Sequence, residues 1–176
     1  MSVRLLAVSG SLRAVSTNAA LLKAAMLLQP ADMEIEFWRG LATLPHFNPD
    51  DDVEPLPRAV AAWRAKVAAA DGLLISSPEY ARGIPGSLKN ALDWLVSGPE
   101  HPGKPVAFFH ASERGVASQA ALRLVLETMG TRIVDSACIT INLLGSEKDA
   151  ATVAANPDYA AKIKTALKAF AEAIAR

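Results

Sequence analysis

The chain has 176 residues, of which 51% are hydrophobic and 20% charged, values that suit one globular domain with a core large enough to need neither disulfides nor metals. Eighteen basic residues offset eighteen acidic ones, so no net field draws the protein to nucleic acid or anionic lipid, and the balance counts against a small acidic electron carrier that docks on basic partners. The N-terminal apolar run is too short for a secretory signal, no stretch approaches the ~20 apolar residues that span a bilayer, and the one cysteine, Cys138, has no partner for an internal disulfide; the expectation is a cytoplasmic protein with no membrane or nucleic-acid partner and with residues 1–176 as a single domain.

Short apolar runs alternate with helical patterns along the chain. Residues 3–9 are nearly continuously apolar and end at Gly10, which reads as a strand buried on both faces. Residues 18–28, rich in Ala and Leu and stopped by Pro30, predict a helix, and residues 34–38 alternate as a short strand. The irregular stretch 40–56 holds His46 and the run Asp50-Asp51-Asp52. Adjacent residues do not point the same way, so the run predicts a solvated loop and not a metal site. Residues 57–70 predict a helix with Pro57 at its first turn and Val60, Trp63 and Val67 on its apolar face. A buried strand at 72–76, a helix at 85–96, a fourth strand at 105–110 and a helix at 118–129 follow. Residues 132–134 and 138–143 belong to a last extended segment, where Cys138 reads as a buried structural thiol. An Ala-rich amphipathic helix at 157–175 closes the chain. The pattern predicts an α/β fold, a flavodoxin-like three-layer sandwich with helices on both faces of a five-stranded parallel sheet of order 2-1-3-4-5.

In such a sheet ligands bind outside the carboxyl ends of the strands, near the switch in strand order. That selects the loops after the first and third strands, with the fourth alongside. The first loop offers hydroxyls at Ser11, Ser16 and Thr17, an amide at Asn18 and a guanidinium at Arg13, directly ahead of a helix. The helix adds free N–H groups and the positive end of its dipole, so the set points to a bound phosphate. Capping of the helix accounts for one of Ser16, Thr17 and Asn18. Neither a Walker A ending nor a dinucleotide-binding glycine pattern is present. In the second loop Pro78 and Pro85 stiffen the backbone around Gly83 and Gly86, beside Tyr80. Those residues suit the edge of a flat heterocycle, and equally an ordinary strand-to-helix turn. His46, His101 and His110 have no ligand-like spacing with one another or with Cys138, so no metal site is predicted. A Gly-x-Ser-x-Gly nucleophile turn is absent.

The first loop carries Gly10, Ser11, Arg13, Ser16 and Asn18, and the second carries Pro78, Glu79, Tyr80, Pro85, Gly86, Leu88, Lys89, Asn90, Asp93 and Trp94. In this order and on these elements, the residues resemble the two hallmark motifs of the NAD(P)H-dependent FMN reductases, which include quinone, chromate and azo-dye reductases. Residues 44–48 resemble the family's loop between second strand and second helix, and the resemblance covers essentially the whole chain. It implies FMN as cofactor and NADPH or NADH as co-substrate. Hydride would pass from nicotinamide through the flavin to a small acceptor such as a quinone, free flavin, azo compound or chromate. The alternative is a non-enzymatic FMN electron carrier reduced by a partner protein. The implied contacts are Ser11, Arg13, Ser16, Thr17 and Asn18 at the phosphate, Pro78, Glu79, Tyr80, Ala81, Arg82 and Gly83 at the ring, and Ser112 from the fourth loop. No protein group is required as a nucleophile or general base, so none is nominated as catalytic.

Two departures stand out. Ala81 and Gly83 occupy positions where many members carry Asn and Ser, which implies ring contacts made mainly through backbone groups and Tyr80. The loop from Ala111 to Ala117 lacks the paired glycines common there. The resemblance also implies a homodimer or homotetramer, for which Trp94-Leu95-Val96 offers apolar surface, although core packing explains those residues equally well.

Overall fold

The structure is a computed structural model and describes residues 2–143 and 149–176. Its strands are β1 (Val3–Ser9), β2 (Met33–Phe37), β3 (Gly72–Ser76), β4 (Pro105–His110), β5 (Arg132–Ile133) and β6 (Ile139–Thr140). Its helices are α1 (Thr17–Leu27), α2 (Arg58–Ala69), α3 (Gly86–Asp93), α4 (Val116–Thr128), α5 (Ala150–Ala155) and α6 (Pro157–Ile174). The strands run in the order β2-β1-β3-β4-β5, every pairing is parallel, and β6 pairs with β4 off that path.

Both faces of the sheet are covered, so alternate residues of each strand enter different cores. Leu5, Ala7, Leu74, Ala107 and Phe109 pack with Leu21 and Leu22 of α1 and Ile163, Leu167 and Phe170 of α6. Leu6, Val8, Leu73, Ile75, Val106 and Phe108 pack on the other side with Val60 and Trp63 of α2, Leu88 and Leu92 of α3, and Leu122 and Leu126 of α4.

Three details differ from the sequence expectation. The last extended segment is broken by a 3-10 turn at Asp135–Ala137, and both pieces lie along β4, which takes β5 at Pro105 and Val106 and β6 at Phe109 and His110. Cys138 follows that turn half-buried, its Sγ accepting from the Phe108 N–H at 3.3 Å, and burial pushes the thiol pKa up. Helix α5 was not foreseen; at six residues it is too short to show a helical period, and the Asp149 carboxylate starts it by accepting from the Thr152 N–H at 2.8 Å. In the 40–56 stretch Asp52 is not a solvated charge, because its carboxylate pairs with Arg64 at 2.9 Å with both side chains largely buried.

The segment Lys89 to Trp94 acts as a clamp. Asn90 Oδ1 accepts from the Phe47 N–H at 2.7 Å, Asn90 Nδ2 donates to the Pro45 carbonyl at 2.8 Å, and Trp94 Nε1 donates to that same carbonyl at 2.8 Å. The Phe47 ring meets Trp94 edge-on at 5.0 Å, a favoured aromatic geometry. Residues 44–48 are thereby pinned to α3. Trp94 and Leu95 are both 0% exposed, so of the apolar trio considered for subunit contact only Val96 reaches the surface.

Candidate functional site

β1 and β3 end in register, Ser9 opposite Ser76, and the Gly10 N–H donates to the Ser76 carbonyl at 2.9 Å. The two loops therefore leave the sheet side by side. Gly10 suits this closeness, since a Cβ there would lie 2.6 Å from Ser77 Oγ and 3.1 Å from Leu88 Cδ2 and would force both side chains to shift.

In the first loop, Ser11 Oγ accepts from the Arg13 N–H at 3.3 Å, and Ser16 is the N-cap of α1, accepting from the Ala19 N–H at 3.3 Å. Ser16 is thus the capping residue among the three considered. The N–H groups of Thr17 and Asn18, at the first turn of α1, have no acceptor among the described residues and point out of the helix start, as first-turn donors do. Asn18 is 7% exposed and its Oδ1 accepts from Ser76 Oγ at 2.9 Å. Its side chain therefore also ties α1 to β3.

The second loop folds back on itself. Tyr80 and Gly83 exchange two backbone hydrogen bonds of 3.0 Å each, with Ala81 and Arg82 between them at φ of +50° and +60°. This is a tight hairpin whose central residues are both left-handed, a conformation suited to Asn or Gly. For other residues it costs about 1–2 kcal/mol each. The Tyr80 and Gly83 N–H groups each donate to the other residue's carbonyl, and Ala81, Arg82 and Gly83 form a tip beside the residues that line the cleft. Glu79 turns the opposite way, its Oε2 accepting from the Ser118 N–H at 2.9 Å at the start of α4. The N-cap of that helix, Gly115, has no side chain to offer, so the distant carboxylate supplies the missing acceptor and lies at the positive end of the helix dipole.

A cleft of about 420 Å³ lies between these loops. Ser11, Arg13, Ser16, Thr17 and Asn18 line one end, Pro78, Glu79 and Tyr80 the middle, and Ser112 the far wall. The sequence reading missed His110, Arg114 and Gln119, which line it as well. His110 closes β4, so its place at a strand's carboxyl end was a usable signal; nothing marked Gln119, whose position follows from the register of α4. Ser112 Oγ accepts from the Arg114 N–H at 3.0 Å and Gln119 Nε2 donates to the Ser112 carbonyl at 3.4 Å, which fixes this turn.

Burial, with the Arg123 charge adding to it, pushes the His110 pKa down to about 4, so the cleft presents a neutral imidazole at neutral pH. The unfolded chain takes up that proton near pH 6.5 and the folded protein only near 4. Stability is expected to be full above pH 6.5, to fall by about 3 kcal/mol as pH drops from 6.5 to 4, and to lose no more to this group below that. Urea unfolding at pH 7.5 and 4.5 checks it, because His110→Asn should lack that part of the acid loss.

The first-loop end of the cleft is built from hydroxyls, N–H groups and a guanidinium with no carboxylate among them, a donor set that fits a phosphate monoester. The remainder, walled by Pro78, Tyr80, His110 and Ala111, fits a flat ring, and the volume is that of a typical small-molecule site. The residues present thus fit FMN.

Comparison with known proteins points the same way. Residues 3–143 match the profile of the family described as NADPH-dependent FMN reductase. Over 112 residues the chain is 42% identical to an NAD(P)H-dependent FMN reductase of Pseudomonas aeruginosa, covering 62% of this chain and 60% of that protein. Over 114 residues it is 38% identical to a quinone reductase of Escherichia coli K12, covering 63% of this chain and 60% of that protein. The chain thus aligns with about three fifths of the length of each of these relatives. Among solved structures it superimposes on the flavoenzyme FerB, an NAD(P)H:acceptor oxidoreductase from Paracoccus denitrificans, with a TM-score of 0.77 and 26% identity over 98% of this chain and 97% of that one.

Proposed function

Because the chain belongs to the NADPH-dependent FMN reductase family, we propose that it is an FMN-containing reductase that takes reducing equivalents from NADPH or NADH and passes them to a small acceptor, a quinone above all. The observation that carries this reading is the cleft's division into a donor-rich, carboxylate-free cradle at Ser11 to Asn18 and a carboxylate-poor chamber beside it. When bound, FMN supplies the two-electron chemistry that no side chain here can perform. The chain's residues hold and surround it. The N–H groups of Thr17 and Asn18, the Ser11 and Thr17 hydroxyls and Arg13 hold the phosphate. Pro78, Tyr80 and the neutral His110 border the ring. Glu79, the one carboxylate lining the cleft among the described residues, is engaged by the α4 N-terminus, which limits the negative charge it imposes where a reduced ring would carry its own.

The protein acts as one domain over residues 1–176 and works in the cytoplasm as a homodimer or homotetramer. No helix among the described residues is long and apolar enough to cross a membrane. Leu12, Val15 and Tyr80 on the loops around the cleft and Val116 at the start of α4 are exposed apolar side chains, which supports subunit contact near the site.

Anaerobic titration of the FMN-loaded protein with NADPH, followed by flavin absorbance, tests the reading. Stoichiometric bleaching is the expected result. Bound flavin that stays oxidised with both NADPH and NADH would make the protein an electron carrier, and failure to bind FMN would overturn the proposal. Arg13→Ala is expected to weaken FMN binding about tenfold, the scale of one charge-assisted phosphate contact, with an unchanged melting temperature of the flavin-free protein. Flavin fluorescence quenching measures the first and thermal unfolding the second.

A further inference from the structure

Arg4, Arg64 and Arg123 each hold a carboxylate. Arg13 and Arg114, the two arginines that line the cleft, hold none among the described residues, and neither does Arg82 at the hairpin tip beside it. The chain as a whole is balanced at a formal net charge of +0, so the charge that Arg13 and Arg114 bring to the cleft is not part of a generally basic surface. Glu79, the carboxylate that lines the cleft among the described residues, accepts from the Ser118 N–H. Arg13 stands at the phosphate end, and a single cofactor phosphate accounts for it.

Arg114 stands on the opposite wall, beyond β4, and the cofactor phosphate does not account for it. Its backbone is fixed by the Ser112 hydroxyl, and Gln119 holds the same turn from α4, so the guanidinium is carried on a braced turn. It is exposed and remains available to a second molecule that enters the chamber. Exposed apolar side chains lie on the same walls, Val116 two residues on at the start of α4 and Tyr80 on the loop after β3. An unpaired guanidinium between apolar surfaces recognises an anion attached to a flat or apolar body.

We propose that Arg114 selects for negatively charged reactants at this site, binding an anionic group of the molecule that comes to exchange electrons there: a sulfonate, carboxylate or phenolate of an aromatic acceptor, or the extra phosphate that distinguishes NADPH from NADH. This rests on the reductase reading and adds to it the class of reactant. Arg114 is a specificity-determining residue and takes no part in the electron transfer.

The test uses the FMN-loaded, oxidised protein and equilibrium binding read from perturbation of the flavin spectrum. The probes are 1,4-naphthoquinone-2-sulfonate, the neutral 2-methyl-1,4-naphthoquinone, NADP+ and NAD+. Arg114→Ala is expected to weaken binding of the sulfonate, of NADP+ or of both by about fivefold to tenfold, an effect that shrinks as salt is raised. The neutral quinone, NAD+ and FMN itself should bind as in the parent protein, and Arg114→Lys should recover part of the loss. Loss confined to the sulfonate identifies the anion as the acceptor's, and loss confined to NADP+ identifies it as the donor's phosphate; either supports the assignment. Equal weakening of charged and neutral probes, or no change in any, overturns it. Since FMN binding and NADH bleaching of the variant are measured alongside, failure of those in the parent protein marks failure of the reductase reading and not of Arg114 alone.

Discussion

Replacing Trp94 by Ala is expected to lower the unfolding free energy by about 3–5 kcal/mol, the range for removing a large buried aromatic side chain. The indole is fully buried, its N–H is one of two donors on the Pro45 carbonyl, and its ring supports the Phe47 edge contact. Loss of the indole therefore leaves a cavity and weakens the attachment of residues 44–48 at once. Trp94→Phe separates the two effects. It keeps most of the volume and loses the hydrogen bond, at about 1–2 kcal/mol. Urea unfolding of both variants checks the ordering; equal losses would mean that the hydrogen bond, not the packing, fixes this corner.

Glu79→Ala is expected to weaken FMN binding about tenfold and to destabilise the fold by about 1–2 kcal/mol, the scale of a lost helix cap. The carboxylate joins the loop after β3 to the first turn of α4, so it spans the middle and far wall of the cleft. Without it the Ser118 N–H loses its acceptor and the two walls lose their only side-chain link among the described residues. Glu79→Gln retains an acceptor oxygen and gives up the charge that favours the helix N-terminus. It is expected to recover most of the FMN affinity and about half of the stability. Flavin fluorescence titration and urea unfolding of the pair check this. An alanine variant that binds FMN normally would reduce Glu79 to a local cap.

The strand order was legible because the parallel strands are buried on both faces and read as plain apolar runs bounded by Gly and Pro, as at Val3–Ser9 and Gly72–Ser76. Segments whose structure depends on distant partners were not legible. β5 and β6 are two residues each and are defined by pairing with β4, which no local period reveals. Asp52 looked like a surface charge because its partner Arg64 lies a helix away. In the site, the sequence already marked Ser11, Arg13, Ser16, Thr17 and Asn18 as one group, and all five line the same end of the cleft. The second loop misled in part, since Ala81 and Arg82 are poor residues for the left-handed tip they occupy, and the sequence therefore gave no sign that Tyr80 and Gly83 use up their own N–H groups. Glu79 was placed at the ring by resemblance, whereas its carboxylate serves α4, a role visible only once the two elements are side by side.

The covering of one face of the sheet by α6 bears on where this unit can be cut. The stretch that matches the family profile stops at residue 143, yet Ile163, Ala166, Leu167 and Phe170 of α6 are buried against β1, β3 and β4 from beyond that point. The Phe170 ring sits so close over Gly72 that a Cβ there would lie 2.9 Å from its Cζ. A fragment ending at residue 143 would keep the Ser11 to Asn18 loop and both walls of the cleft while laying bare the apolar half of the sheet beneath them. The stretch that marks the family is therefore shorter than the folding unit, and a minimal version of this protein has to carry its last helix.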